Sequence, residues 1–204
     1  DDLTSETRLQ YLQIAEKELN RVSAIARRTL GFYREDAQEV EIDLRDLIDG
    51  VLAVYRNKIA GAVTVTTSYS EKPFIRAKAG EVRQILMNLF ANAIDAVPEE
   101  RGTLSIKVTS HQDMTSIEIK DNGHGIPKEN LARVFEPFFT TKKEFGTGLG
   151  LWVTKELVVK NNGSIRVLSS TDQGEHGTIF ELTFPSADGA SLSQNSLAEK
   201  VGLS

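Results

Sequence analysis

From Thr4 to Glu35, apolar and small residues recur at steps of three and four. Leu12, Ala15, Leu19, Val22, Ala26, Thr29 and Tyr33 form a seam, and Leu9, Ile25 and Leu30 widen it. Glu and Arg fill the other faces, so the pattern predicts one long amphipathic helix with a heptad seam. A single helix cannot bury such a seam alone. The reading is therefore half of a helical bundle, rather than a helix folded back on its own domain.

After a polar connector, Asp36 to Glu41, the pattern alternates between helix and strand periods. Asp43 suits the cap of a helix over Leu44 to Lys58, whose buried face is Leu44, Leu47, Ile48, Val51, Leu52 and Tyr55. Val63 to Thr67 and Phe74 to Arg76 read as strands. Gly80 to Val97 reads as a long helix stopped by Pro98. Leu104 to Thr109 and Ser116 to Lys120 read as strands around a turn near Gln112-Asp113. Short helices follow near Glu129 to Val134 and Leu149 to Lys160, the second ended by Asn161-Asn162-Gly163. Ile165 to Ser169 and Thr178 to Phe184 complete the strands. The predicted class is α+β: a two-layer α/β sandwich with a mixed sheet and helices on one face, preceded by the long N-terminal helix. After Pro185 the chain turns Ser-, Ala- and Gly-rich and reads as a flexible tail. The expected organisation is 1–37, 38–185 and 186–204.

Bulk properties narrow the function. With 204 residues, 40% hydrophobic and 26% charged, the chain has ordinary globular composition. A net charge of -5 argues against a general nucleic-acid or membrane-surface binder. The absence of cysteine excludes disulfides and thiolate metal sites. No apolar run is long enough to span a bilayer. The chain begins Asp1-Asp2, without Met, and reads as a piece of something longer.

Four blocks carry the candidate chemistry. In the helix over 80–97, Glu81, Gln84, Asn88, Asn92 and Asp95 share one face. Asn is a weak helix former, so two amides on this face are a costly choice for mere solvation. An amide offers oxygen to a metal and N–H to phosphate without adding negative charge. Next, Asp121 closes a strand before Gly123, Gly125 and Ile126-Pro127. Its carboxylate suits the exocyclic amine of a base, and the glycines admit a close ligand. A plain Asp-Asn-Gly hairpin is the bland alternative. Pro127 leads into a helical pattern instead, which weakens it. Third, Phe135 to Lys142, with Thr141 and Lys142, reads as a lid docked by Phe138 and Phe139. Fourth, Gly146-Thr147-Gly148-Leu149-Gly150 runs into a helix, a natural anion cradle, with Lys142 and Lys143 just before it. The third glycine of a dinucleotide turn is missing, and no Gly-Lys-Ser/Thr sequence is present.

In this order the four blocks resemble the nucleotide-binding domain of sensor histidine kinases. That family lies in the wider superfamily that includes gyrase, the Hsp90 chaperones and MutL proteins. The resemblance covers Ile42 to Pro185, and the short lid with Phe-Phe-Thr-Thr-Lys is similar to the nitrogen-regulatory branch. It implies ATP and Mg²⁺ as ligands, with Asn92 as the magnesium ligand and Asn88 as a phosphate contact. It implies Asp121 as the adenine anchor and Gly123, Gly125 and Ile126 as pocket lining. Thr141 and Lys142 belong to the lid, and Gly146, Thr147, Gly148, Leu149 and Gly150 to the phosphate loop. Thr178 matches the threonine that helps hold adenine. The helix over 1–37 resembles the second helix of the family's dimerisation hairpin.

Gyrase-like ATPases carry a water-activating Glu four residues before the magnesium Asn. Here that position is Asn88, and an amide is no general base. The resemblance therefore implies a kinase that donates the γ-phosphoryl group of Mg-ATP to a histidine. A response-regulator aspartate would then receive it. The alternatives are a gyrase-type ATPase, with Glu81 as the one further acid to consider, and a non-catalytic nucleotide-binding module. Three histidines occur, His111, His124 and His176, and none lies on the N-terminal helix. His124 reads as incidental to its turn. The acceptor histidine is thus expected outside this chain, and no catalytic residue is assigned within it. The partners implied are a response-regulator receiver domain, a histidine-bearing helix of the same parent protein and a second copy through the N-terminal helix. Nucleic acid and membrane contact are not expected, and the implied location is the cytoplasmic portion of a bacterial sensor.

Overall fold

The computed structural model describes residues 38–98, 100–142, 146–172, 174 and 176–187. The helix expected over 1–37 and the tail from 188 onward lie outside them. In chain order the elements are β1 (Val40–Asp43), α1 (Leu44–Val54), α2 (Arg56–Ile59), β2 (Val63–Tyr69), β3 (Phe74–Ala77) and α3 (Ala79–Ala96). Then come β4 (Gly102–His111), β5 (Met114–Asp121), α4 (Lys128–Leu131), α5 (Gly150–Lys160), β6 (Ser164–Ser170) and β7 (Gly177–Pro185).

The main sheet has five strands in the order β2-β4-β5-β7-β6. β2 and β4 are parallel, joined by a crossover through α3, and the other pairings are antiparallel. The sheet alternates with period 2, as a half-covered sheet should. Leu104, Ile106, Val108, Ile117, Ile119, Phe180, Leu182 and Phe184 are buried, while Thr103, Lys107, Thr109 and Lys120 are exposed. α3 supplies the opposing surface: Val82, Ile85, Leu86, Leu89 and Phe90 are fully buried. Each such large side chain contributes about 1.5–3 kcal/mol of transfer free energy. α3 packs against β4 and β5, with α1 and α5 beside it. The expected mixed sheet packed on helices is therefore present.

Local signals act as the residue types dictate. Asp43 caps α1, its Oδ1 accepting from the Arg45 amide at 2.8 Å. α5 ends in a Schellman arrangement: the Gly163 amide bonds the Val158 carbonyl at 2.9 Å and the Asn162 amide that of Val159 at 3.0 Å. The left-handed residue there is Asn162, at φ 57. Gly163 is needed for space, since a Cβ would lie 2.5 Å from the Thr183 carbonyl oxygen.

Three elements differ from the sequence reading. The connector ending at Glu41 is partly a strand, because β1 pairs antiparallel with β3 in a separate two-stranded sheet. The helix expected over 44–58 breaks at Tyr55, whose hydroxyl donates to the Met87 carbonyl at 2.9 Å. At the end of β7, Ser186 and Ala187 are buried rather than loose. Ser186 bonds Thr115 at 2.9 Å and bridges to Ile75.

Candidate functional site

β5 delivers Asp121 to the end of the sheet, opposite Thr178 of β7 in the antiparallel register. Both are nearly inaccessible. Oδ1 of Asp121 accepts from the Gly123 amide at 2.8 Å and the Thr178 amide at 3.2 Å. Oδ2 has no hydrogen-bond partner among the described residues, yet no buried polar side-chain atom there is unsatisfied. Oδ2 is therefore not sealed off completely and stands as an unpartnered acceptor. Burial pushes the Asp121 carboxyl above its ordinary value, against the opposing pull of the Gly123 and Thr178 amides and of His124.

The glycines after Asp121 are required by close approach. A Cβ on Gly123 would sit 2.7 Å from the Ala96 carbonyl oxygen at the end of α3, and one on Gly125 would sit 1.9 Å from that of Ser170. The His124 amide also bonds the Ala96 carbonyl, at 3.1 Å. The turn is thus wedged between α3 and β6. Ser169 completes it: its Oγ accepts from the Ile126 amide at 2.8 Å, donates to the Gly177 carbonyl at 2.7 Å and lies 3.0 Å from the Thr178 hydroxyl. Asp121, Gly123, Gly125, Ile126 and Thr178 therefore come together as expected. Ser169, Gly177 and His176 join them, unforeseen. A single hydroxyl on an edge strand carries no motif, so nothing in the sequence singled out Ser169. Gly177 was visible only as a neighbour of Thr178.

Midway along α3, Asn88 meets the glycine loop. Its Nδ2 donates to the Gly150 carbonyl at 3.2 Å and to Thr154 Oγ1 at 3.3 Å, and its Oδ1 accepts from Gln84 at 3.0 Å. Asn88 thus pins the first turn of α5 to α3. Asn92, one turn further along, is half-buried, and its side chain makes no hydrogen bond among the described residues. From Asn88 to Ala96 is about 12 Å along the helix axis. The glycine loop lies at one end of that line and the Asp121 turn at the other.

No side chain caps the N-terminus of α5. Its leading amides therefore remain available to an anion. Gly150 has open space where a Cβ would stand. Gly146 and Gly148 are instead fixed by the lid: a Cβ would lie 2.1 Å from Thr140 Oγ1 in the first case and 2.3 Å from the Phe138 carbonyl carbon in the second. Gly148 also has φ 66. Leu149 precedes the helix, its amide turned toward Thr147 Oγ1 at 3.4 Å.

The lid departs from expectation. Phe138 does not dock; it is 73% exposed at φ 66, and only its backbone meets Gly148. Phe139 lies under the Arg133 guanidinium, 4.5 Å from the ring centre. Lys142 does not point at the glycine loop but pairs with Asp95 of α3 at 2.8 Å. Thr141 is exposed, and Lys143 lies outside the described residues. Glu81 is no poised base. It is buried, with its carboxylate held by Lys160 at 2.5 Å and Asn161 at 2.8 Å. His124 bonds the Gly125 carbonyl through Nδ1 at 2.7 Å, so its ring is engaged within the turn.

Among the described residues no cluster of His, Cys, Asp or Glu forms a metal cage. The donor set instead fits a hard cation held largely by phosphate oxygens with one amide oxygen. Nor is any helix among them long and apolar enough to cross a membrane.

Residues 77–188 match the family described as histidine kinase-, DNA gyrase B-, and HSP90-like ATPase. Sporulation kinase A of Bacillus subtilis (strain 168) is 33% identical over 186 residues, covering 89% of this chain and 30% of that protein. Signal transduction histidine-protein kinase AtoS of Escherichia coli (strain K12) is 30% identical over 180 residues, 86% of this chain and 29% of AtoS. The chain thus spans about 30% of the length of these relatives. The nucleotide-free catalytic domain of histidine kinase ThkA superposes with TM-score 0.66 at 27% identity, over 73% of this chain and 96% of that one. ThkA in complex with response regulator protein TrrA superposes with TM-score 0.65 at 26% identity, over 92% of this chain and 53% of that one.

Proposed function

Because the chain belongs to the histidine kinase-, DNA gyrase B- and HSP90-like ATPase family, as the ATP-binding catalytic domain of a two-component sensor histidine kinase, we propose a residue-level division of labour along α3. Asp121 Oδ2 accepts from the exocyclic amine of adenine, with Thr178 beside it and Gly123, Gly125 and Ile126 lining the base site. The amides at the start of α5 and the Gly146 to Gly150 loop take the phosphates. Asn92 supplies an amide oxygen to Mg²⁺, which when bound neutralises charge on the phosphate oxygens. Asn88 holds the phosphate loop in register with α3, and Lys142 exchanges Asp95 for phosphate when the lid closes.

The reaction is transfer of the γ-phosphoryl group to an imidazole nitrogen. The nitrogen–phosphorus bond forms as the bond to the departing ADP oxygen breaks. The acceptor histidine lies outside this chain, on a helix supplied by the same parent protein. From there the phosphoryl group passes to a response-regulator aspartate. The complex of ThkA with TrrA supports that partner class. The pairing of residues 1–37 with a second copy, the nitrogen-regulatory affinity and a cytoplasmic location belong to the same reading.

One observation carries the proposal: a buried carboxylate fixed through one oxygen by two backbone amides and unpartnered, among the described residues, at the other. Titration with ATP tests it. Wild type is expected to bind Mg-ATP, and Asp121→Asn to lose most of that affinity, because an amide aims the wrong group or a weaker acceptor at the amine. Equal ATP affinity in the two proteins would sink the assignment. A gyrase-type ATPase is disfavoured by Asn88, an amide with both ends engaged, and by Glu81, neutralised in its ion pair.

A further inference from the structure

We propose that His176 is a positioning residue for adenine recognition, acting through the backbone that holds Asp121. The inference rests on the reading of Asp121 as the adenine anchor. Nδ1 of His176 lies 2.8 Å from the carbonyl oxygen of Gly123. A carbonyl only accepts, so Nδ1 carries the proton and donates. The same Gly123 gives its amide to Asp121 Oδ1. The other donor to Oδ1 is the amide of Thr178, two residues after His176. His176 therefore links the two backbone segments whose amides jointly orient the carboxylate.

The space around the link is fully used. Gly177 stands between the two segments at φ 143, and a Cβ there would sit 2.2 Å from the Asp121 carbonyl oxygen. Its own carbonyl is taken by Ser169 at 2.7 Å. The 176–178 segment thus lies close against the turn, and the imidazole is the group that ties it to Gly123, beside the bonds made by Ser169 and Asp121. Without that bond, the β5–β7 pairing and Ser169 still hold the 176–178 segment, but the Gly123 carbonyl loses its tie to it. The Gly123 amide then holds Oδ1 less firmly, and Oδ2 keeps its direction less well. A base presents its amine in one direction, so the loss falls on adenine recognition rather than on the phosphates at the start of α5.

His176 is exposed, so removing it leaves no cavity. The test compares ATP with the purine riboside triphosphate that lacks the exocyclic amine, by competition titration on the full 204-residue chain. His176→Ala is expected to weaken ATP roughly fivefold, the weight of one hydrogen bond, while the amine-free analogue stays within about twofold of its wild-type affinity. His176→Asn, whose Nδ2 stands where Nδ1 stood, should restore ATP binding. An unchanged ATP affinity in His176→Ala overturns the proposal. So does an equal loss for both nucleotides, which would mean a merely structural role, or a failure of His176→Asn to rescue. Asp121→Asn runs alongside as the control on the anchor. If it binds ATP as wild type does, both readings fall; if it loses ATP while His176→Ala does not, this one alone falls.

Discussion

Asn88 and Asn92 stand one helical turn apart with different obligations, and their variants should separate accordingly. Asn88 joins Gln84, Thr154 and the Gly150 carbonyl, while Thr154 Oγ1 also donates to that carbonyl at 2.9 Å, so Asn88→Ala removes the tie between α3 and α5 without orphaning Thr154 or Gly150 and should cost about 0.5–1.5 kcal/mol in denaturant unfolding. The Asn92 side chain makes no hydrogen bond among the described residues, so Asn92→Ala should stay within about 0.5 kcal/mol of wild type. Its loss should appear as ATP binding that no longer responds to Mg²⁺ in a titration. Asp121 adds a pH signature. Burial raises its folded pKa above the unfolded value, so the folded state holds the proton over a window where the unfolded chain has released it. Its stabilising contribution is full below the unfolded pKa and is lost as pH rises through the raised value. Asp121→Asn should therefore melt above the unliganded wild type at neutral pH, with the gap closing in acid. The wild-type affinity for ATP should itself fall as pH drops through that raised value. A melting gap independent of pH would contradict this account.

At the scale of elements, the glycine loop and lid form one device whose glycines are not equivalent. Gly148→Ala faces a left-handed backbone cost of about 1–2 kcal/mol, and its Cβ would also collide with the Phe138 backbone. It should lower the melting temperature and loosen the lid. Gly150 has open space instead, at the first turn of α5. Gly150→Ala should leave stability equal or raise it by up to about 1 kcal/mol, since Ala is the better helix former. It should weaken ATP more than adenosine if phosphates pass close to that backbone. Calorimetric titration with both ligands reads the difference. The Lys142–Asp95 pair is exposed at both ends, so Lys142→Ala should cost at most about 1 kcal/mol in stability.

For the whole molecule, the described residues hold nucleotide-binding machinery and no histidine on a helix. His111 ends β4, and His124 and His176 bond to backbone in turns. Given Mg-ATP alone, the chain is expected to acquire no acid-labile, base-stable phosphate, while a partner bearing the acceptor helix should become labelled in trans. Phosphohistidine at any of the three positions would refute the donor-only reading. Much of this was legible in the residues themselves. Periodicity placed α3, α5 and the strands of the main sheet, because period 2 and period 3.6 leave different marks when one face is buried. Paired amides, an acid before glycines and a glycine-rich helix start marked the ends of the site, because each reflects a local backbone or chemical demand. What required the tertiary structure was partnership across the chain. β1 is too short and polar to read as a strand until β3 pairs with it. Glu81 looks like an available acid until Lys160 and Asn161, 79 and 80 residues away, take its charge. Ser169 and His176 have no motif, and each acquires its role only where β6 and β7 bring it against the Asp121 turn. Local demands leave their mark in the local sequence, whereas a hydrogen bond between distant segments is decided only when the sheet sets their register.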